Sequence, residues 1–446
     1  MRSRPFRSQL RQAIRGSFCV SFDALTEKGS PVSGTTLAAF GHRDFRLFWL
    51  GQLISVTGSQ MQLVAINWHV YVLTGSAAAL GLVGLVRVLP IIVCSLLGGI
   101  AADALDRKRL MLVTQSIMLI SAALLAAVTA RGLQSVWPIF LLTAISSAAT
   151  AFDSPARQAL LPRLVPPRDF PSAVTLSFIV FQVALIVGPV LAGLLLGRVG
   201  PAAVYALNAA SFIAVIIALL FIRASGAVES ANGNGISWQA LVEGLRFVWR
   251  TPIIVQTMTL DFVATFFASA TALLPIFAAD VLQVGARGLG FLAAAPAVGA
   301  IIAGTLLARV RQWQQPGKTI VLAVVVYGAA TALFGLSRNF WFSLLMLALT
   351  GAADTVSTVL RQMIRQLATP DHLRGRMTSV NMIFFMGGPQ LGEFEAGIVA
   401  EFIGAPLSVF TGGIGCILAA LVALFKARSL LSYRLPDGTA ERGPTR

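Results

Sequence analysis

Apolar residues run along this chain in long blocks, and the polar stretches between them are short and crowded with Gly, Pro, Arg and Asp. The blocks fall near 47–73, 78–103, 110–130, 134–160, 172–197, 201–222, 254–279, 288–308, 319–336, 340–366, 376–403 and 405–425. Each holds roughly 18 residues or more, the length that crosses ~30 Å of hydrocarbon as a helix. Only helices and closed barrels satisfy their backbone hydrogen bonds inside lipid, and the blocks lack the period-two alternation of barrel strands. The pattern predicts an all-α membrane protein with twelve transmembrane helices. A polar stretch at 224–253 divides them into an N-terminal set of six at 41–223 and a C-terminal set of six at 254–428, with tails at 1–40 and 429–446.

The two sets repeat one another. Gly84, Pro90 and Gly98 recur 206 residues later as Gly290, Pro296 and Gly304; Gly188-Pro189 recurs as Gly388-Pro389; Arg157-Gln158 recurs as Arg361-Gln362. Each match joins equivalent blocks, which points to a six-plus-six duplication. Within the divider, Ser225–Gly235 is polar, whereas Trp238, Leu241, Leu245, Phe247, Val248 and Trp249 with Arg246 and Arg250 predict an amphipathic helix on the membrane surface.

Composition agrees: of 446 residues, 56% are hydrophobic and 12% charged, against about 25% charged in globular chains. The net charge of +16 would suit a nucleic-acid partner if it were gathered on one surface. Instead, all but five of the 34 Lys and Arg lie in the tails or in the loops and block ends that alternate with them. The exceptions are Arg87, Arg131, Arg198, Arg287 and Arg338. Such a bias puts both termini in the cytoplasm, so the basic excess reports topology. The Arg- and Ser-rich first forty residues read as a disordered tail rather than a transit peptide, because Phe40–Arg46 leads straight into the first block.

No catalytic constellation emerges. Cys19, Cys94 and Cys416 have neither metal nor disulfide spacing, and His42, His69 and His372 are too dispersed for zinc or a triad. Gly317-Lys318-Thr319 resembles the end of a phosphate loop, but Gln312 stands where that loop needs glycine. Neither an enzyme nor a cofactor nor a metal is expected. Transport driven by an ion gradient remains.

Between the second and third blocks the chain reads Gly99-Ile100-Ala101-Ala102-Asp103-Ala104-Leu105-Asp106-Arg107-Lys108-Arg109. A carboxylate followed at once by three cations can pair locally and hold a neighbouring helix. The spacing resembles the cytoplasmic loop between the second and third spans of the major facilitator superfamily, with Asp106 where that pattern has glycine. His42-Arg43-Asp44-Phe45-Arg46-Leu47-Phe48-Trp49, Leu89-Pro90 and Leu373-Arg374-Gly375-Arg376-Met377 resemble its bacterial exporter branch, which includes enterobactin and macrolide-type drug exporters. The resemblance covers residues 40 to about 428. It implies the major facilitator fold, a substrate held between the halves, and Gly99, Asp103, Arg107 and Lys108 as a lock on the cytoplasmic side. The repeat of that loop, Gly304–Arg311, has no acid, so the lock is expected on one half only. Gly188, Pro189, Gly388 and Pro389 are expected helix bends, since proline removes a backbone hydrogen bond.

Ionisable groups inside spans are costly and are functional candidates by default. Asp153 with Arg157, and Asp354 with Arg361, are expected as ion pairs near the cytoplasmic ends of their spans. Asp261 either faces a central cavity or reaches the inner interface. Glu393 and Glu395 point about 200° apart on a helix, so one faces inward and the other a neighbour. Arg87 lies at a similar depth in the second span, which the resemblance sets against the eleventh. Arg87 is therefore expected to pair with one glutamate in one conformation and release it in another, the freed carboxyl carrying a proton; a permanent structural pair is the alternative.

The expected function is proton-coupled export of a lipophilic small molecule, drug or siderophore-like, by rocker-switch alternating access in the bacterial cytoplasmic membrane. Its partners are that substrate, protons and the bilayer, the chain acting as a monomer without nucleic acid. The alternatives are an importer or uniporter of the same fold, and a transport-inactive membrane sensor or scaffold.

Overall fold

The computed structural model describes residues 37–132, 134–224, 226, 245–310, 315–370 and 373–433. The tail at 1–36, Trp238 and Leu241 of the expected surface helix, and the chain beyond 433 lie outside them. Helices follow the apolar blocks closely: α1 is Arg43–Thr74, α2 Ala77–Ala104, α3 Arg107–Ala130 and α4 Trp137–Leu160. Side-chain caps start several of them. Ser76 Oγ accepts from the Ala79 N–H of α2, and Asp106 Oδ1 from the Arg109 N–H of α3, each satisfying an orphan donor. Asp106, the departure from the family loop pattern, is thus a helix cap.

The fifth and sixth blocks form one element, Phe170–Phe221, of 52 residues. Straight, it would be about 78 Å long, far beyond a bilayer. Gly200 breaks it with φ 76°, a left-handed conformation that glycine adopts without a Cβ clash. Its limbs are α5 (170–199) and α6 (201–221). In the second set come α7 Pro252–Phe267, α8 Gly285–Leu307, α9 Pro316–Leu336, α10 Phe340–Ala368, α11 Arg374–Ile403 and α12 Ala405–Lys426. The seventh block is less regular than its apolar run predicts. After Phe267 it continues as short 3-10 and α turns, then as a π-helical turn at Phe277–Val281. Pro275, without an N–H, sits at this transition.

Nine helical segments among the described residues are long and apolar enough to cross a membrane. α1 carries Gln52, Gln60, Gln62, Asn67 and His69 among its apolar residues, and α11 carries Gln390, Glu393 and Glu395. The pairing of helices repeats with the sequence. α1 packs on α5 and α6, α2 on α4, and α3 on α4 and α6; in the second set α7 packs on α11, α8 on α10, and α9 on α10 and α12. Between the sets, α2 meets α11 and α5 meets α8.

Burial shows where the sets join. At the end of the bundle away from the termini, one continuous apolar core takes residues from both, including Val70, Leu80, Leu196, Leu273, Leu289 and Ala400. At the termini end the core splits in two. Phe45, Met111 and Leu219 belong to a cluster of the first set only, and Leu260, Val324, Leu360 and Ile364 to a cluster of the second. The two sets are therefore closed against each other at the far end, and among the described residues they share no buried apolar cluster at the termini end. The far-end contact is tight. A Cβ on Gly397 of α11 would lie 2.6 Å from Gly81 Cα of α2, and one on Gly290 of α8 would lie 2.5 Å from the Pro189 carbonyl oxygen of α5.

Candidate functional site

Arg361 and Arg365 are one helical turn apart on α10, on the face turned into the second set, where Arg361 is 1% exposed and Arg365 4%. Asp261 of α7, equally buried, meets them both. Arg361 Nη2 lies 2.7 Å from Asp261 Oδ1, and Arg365 Nη1 lies 3.8 Å from Asp261 Oδ2. Asp354, an α10 residue that is half-exposed, reaches the same Arg361 Nη2 at 3.6 Å. One guanidinium is thus shared by two carboxylates from different helices. Among the described residues Arg361 Nε and Ser357 Oγ are buried there without a hydrogen-bond partner, so the cluster has spare donors beside its carboxylates. A charge buried this deeply is tolerated only while paired.

The first set repeats the link without the acid. Arg157 of α4, the counterpart of Arg361, donates from Nη1 to Gln52 Oε1 of α1 at 3.0 Å. The expected Asp153–Arg157 ion pair is not formed. Asp153 is instead turned toward α3, where Oδ1 accepts from Thr114 Oγ1 at 3.0 Å and Gln115 Nε2 at 2.9 Å. Neutral donors take the carboxylate, and a neutral amide takes the arginine. The Asp354–Arg361 contact is present, but Asp261 is the closer partner.

Glu393 and Glu395 face different surroundings. Glu393 Oε1 accepts from Thr271 Oγ1 at 2.8 Å, and its side chain lies against Gly84 of α2. That is one turn from Arg87, yet Arg87 forms no ion pair among the described residues. The expected Arg87–glutamate pair is therefore absent from this conformation, with Glu393 held by a hydroxyl on its own set. Glu395 lies in a separate groove with Phe266, Leu391, Phe394, Ile398 and Val399.

Two further carboxylates join the sets at the far end. Glu401 of α11 accepts from Ser76 Oγ at 2.9 Å and from the Ala78 N–H at 3.0 Å, at the start of α2. Asp280, on the π-helical turn, accepts from the Tyr71 hydroxyl near the end of α1. Neither contact is visible in the sequence, because each acid sits at a block end where charge is unremarkable.

The loop expected to act as a lock is tied within the first set. Arg107 Nη1 donates to the Ala159 carbonyl of α4, and Lys108 Nζ donates to the Ile222 carbonyl at 2.7 Å, beyond α6. The Asp103 carboxylate and Gly99 lie outside the described side chains. Gly188 packs on α1, where a Cβ would lie 2.5 Å from Gln60 Cβ, and Gly388 packs on α7 against Thr265. The helices run unbroken through Pro189 and Pro389. The Gly-Pro pairs also bring their helices close to α1 and α7, while the interruption of helical φ/ψ falls at Gly200.

A second repeated device is not evident from the sequence alone. The backbone after α6 is held by Asp44 at the start of α1, whose Oδ2 accepts from the Arg223 and Ala224 N–H groups. After α12, Gln256 at the start of α7 accepts from Ser429 Oγ and the Leu430 N–H. Both acceptors lie near the start of the first helix of their set, a placement that comparison of the repeats could have flagged.

Residues 34–437 match the major facilitator family described as transmembrane secretion effector. The chain belongs to that family. Multidrug efflux pump Tap of Mycolicibacterium fortuitum is 27% identical over 402 residues, 86% of this chain and 95% of Tap. Enterobactin exporter EntS of Escherichia coli O157:H7 is 25% identical over 404 residues, 90% of this chain and 96% of EntS. Among solved structures, a bacterial homolog of the human lysosomal transporter Spinster, inward-facing and unoccupied, aligns with a TM-score of 0.70 at 14% identity, over 88% of this chain and 98% of that one. A POT family transporter in complex with a thioalcohol conjugated peptide aligns at 0.71 and 12% identity, over 89% and 100%. These two likenesses show the fold. The protein is a multi-pass membrane transporter of the major facilitator type, with efflux pumps among its relatives.

Proposed function

We propose that the transporter exports a lipophilic small molecule in exchange for protons, by alternating access of a central cleft. In this reading twelve helices cross the membrane, α1 and α11 included, in two six-helix halves with both termini in the cytoplasm. The loop charge bias supports that orientation. The far-end core then closes the outside, and the halves part toward the cytoplasm at the termini end.

The observation that carries proton coupling is Asp261 between two buried arginines. A proton on Asp261 removes the charge that balances Arg361, and Asp354 stands ready on the same guanidinium to take it over. Protonation is thereby linked to a shift of α10 relative to α7. The counterpart Gln52–Arg157 link has no titrating acid, so the proton chemistry belongs to the second half. The same α7 segment runs on through its irregular turns to Thr271 and Asp280, which touch the far-end contacts. Movement at Asp261 is in this way coupled to the outer closure, and Arg87 becomes a partner for Glu393 only when that closure rearranges.

Ethidium retention in bacterial cells tests the reading. Expression should lower intracellular ethidium, and an uncoupler should abolish the difference. Net accumulation on expression contradicts export, and an unchanged level with every solute tried contradicts transport.

A further inference from the structure

Glu395 has no hydrogen bond or ion pair among the described residues, and its groove between α7 and α11 has a volume of about 370 Å³. The other lining residues are Phe266, Leu391, Phe394, Ile398 and Val399, all apolar. Glu395 shares its helix face with Ile398 and Phe402, three and seven residues on. Phe402 is 83% exposed, although its neighbour Glu401 lies in the closed far-end contact. A face exposed beside a closed contact looks outward from the bundle, toward lipid. Glu395 is eight residues before Ile403, about 12 Å along the helix from its end, too deep for a short carboxylate side chain to reach the interface. An ionised carboxylate there is costly unless a cation joins it.

We propose that this groove takes a hydrophobic cation directly from the bilayer, Glu395 holding its charge while Phe266 and Phe394 hold its apolar body. Charge complementarity selects the occupant. A neutral lipid chain would leave the carboxylate unbalanced, and a hydrophilic cation would leave the apolar walls unfilled. Aromatic faces add to the attraction for a cation, and the volume lies in the usual range for a small-molecule pocket. The cation becomes cargo only if the export reading also holds.

Binding of radiolabelled tetraphenylphosphonium to the full-length protein in lipid nanodiscs tests this. Glu395→Gln should raise its Kd at least tenfold, while Glu395→Asp stays within threefold of the parent. Ile398→Lys, which places an ammonium one turn away, should also weaken binding at least tenfold. If Glu395→Gln is poorly folded, Ile398→Lys decides. Equal binding by the parent and the folded variants overturns the proposal, as does no binding by the parent. Proton-driven ethidium transport measured alongside separates the two readings: Glu395-dependent binding without transport leaves the groove and removes the exporter, and transport with binding indifferent to Glu395 does the reverse.

Discussion

Arg361 lies 2.7 Å from Asp261, across the α7–α10 contact, and both side chains are buried. Its counterpart in the first set, Arg157, makes the equivalent helix-to-helix link to a neutral glutamine. The same cross-brace thus exists twice, and carries an acid once.

The acid link should be the more costly to break. Asp261→Ala leaves Arg361 and Arg365 without their shared partner and should cost about 3–5 kcal/mol. Gln52→Ala should cost about 1–3 kcal/mol, the loss of one hydrogen bond to a charged group. Thermal unfolding of the detergent-solubilised variants measures both, and Asp261→Ala with Arg361→Leu should recover much of the loss. Equal destabilisation by the two single variants contradicts the difference drawn between the halves.

Closure at the far end rests on glycine contacts. Gly397→Val places side-chain carbon where Gly81 Cα already lies within 2.6 Å of a Cβ, so α2 and α11 must separate. The labelling rate of a cysteine placed at Leu80, buried in the shared core, should rise in this variant. An unchanged rate means the contact gives way elsewhere.

The carboxylates at that end should act more gently. Glu401→Gln and Tyr71→Phe each weaken a polar contact between the halves, worth about 1–2 kcal/mol. Spin-label distances across the far end should report a larger open population in each, and a larger one still in the double variant. No change in either leaves closure to the apolar core alone.

Much of the fold is legible in the sequence because a helix in lipid must be apolar for its whole length, so block edges and helix ends nearly coincide. The seventh block is the exception, since an apolar run does not reveal that Pro275 and its neighbours leave the regular helix. The candidate site is legible only in parts. Asp261, Arg361 and Asp354 stand out as charges in lipid, but their common contact joins positions about a hundred residues apart and depends on α7 packing against α10. Arg157 and Asp153 mislead for the opposite reason: a one-turn spacing allows a pair, and stronger claims from α1 and α3 take each side chain away. The depth match between Arg87 and the glutamates sets α2 near α11, where the helices do meet, yet helix depth does not decide which rotamer is occupied.

The repeated clasp at Asp44 and Gln256 gives a test of the duplication. Asp44→Ala and Gln256→Ala each free backbone N–H groups that follow the last helix of a set. Each should lower stability by about 1–2 kcal/mol, and hydrogen exchange should quicken locally at Ala224 in one and Leu430 in the other. Quickening at both sites in either variant means the clasps are not independent.

The central claim is that the proton travels on Asp261, and ethidium transport in inside-out vesicles tests it most directly. With an acidic lumen, the parent should accumulate ethidium, and collapse of the pH gradient should abolish accumulation. Asp261→Asn should lose accumulation driven by the gradient while still exchanging labelled for unlabelled ethidium across the membrane. Full gradient-driven accumulation by Asp261→Asn would contradict the account.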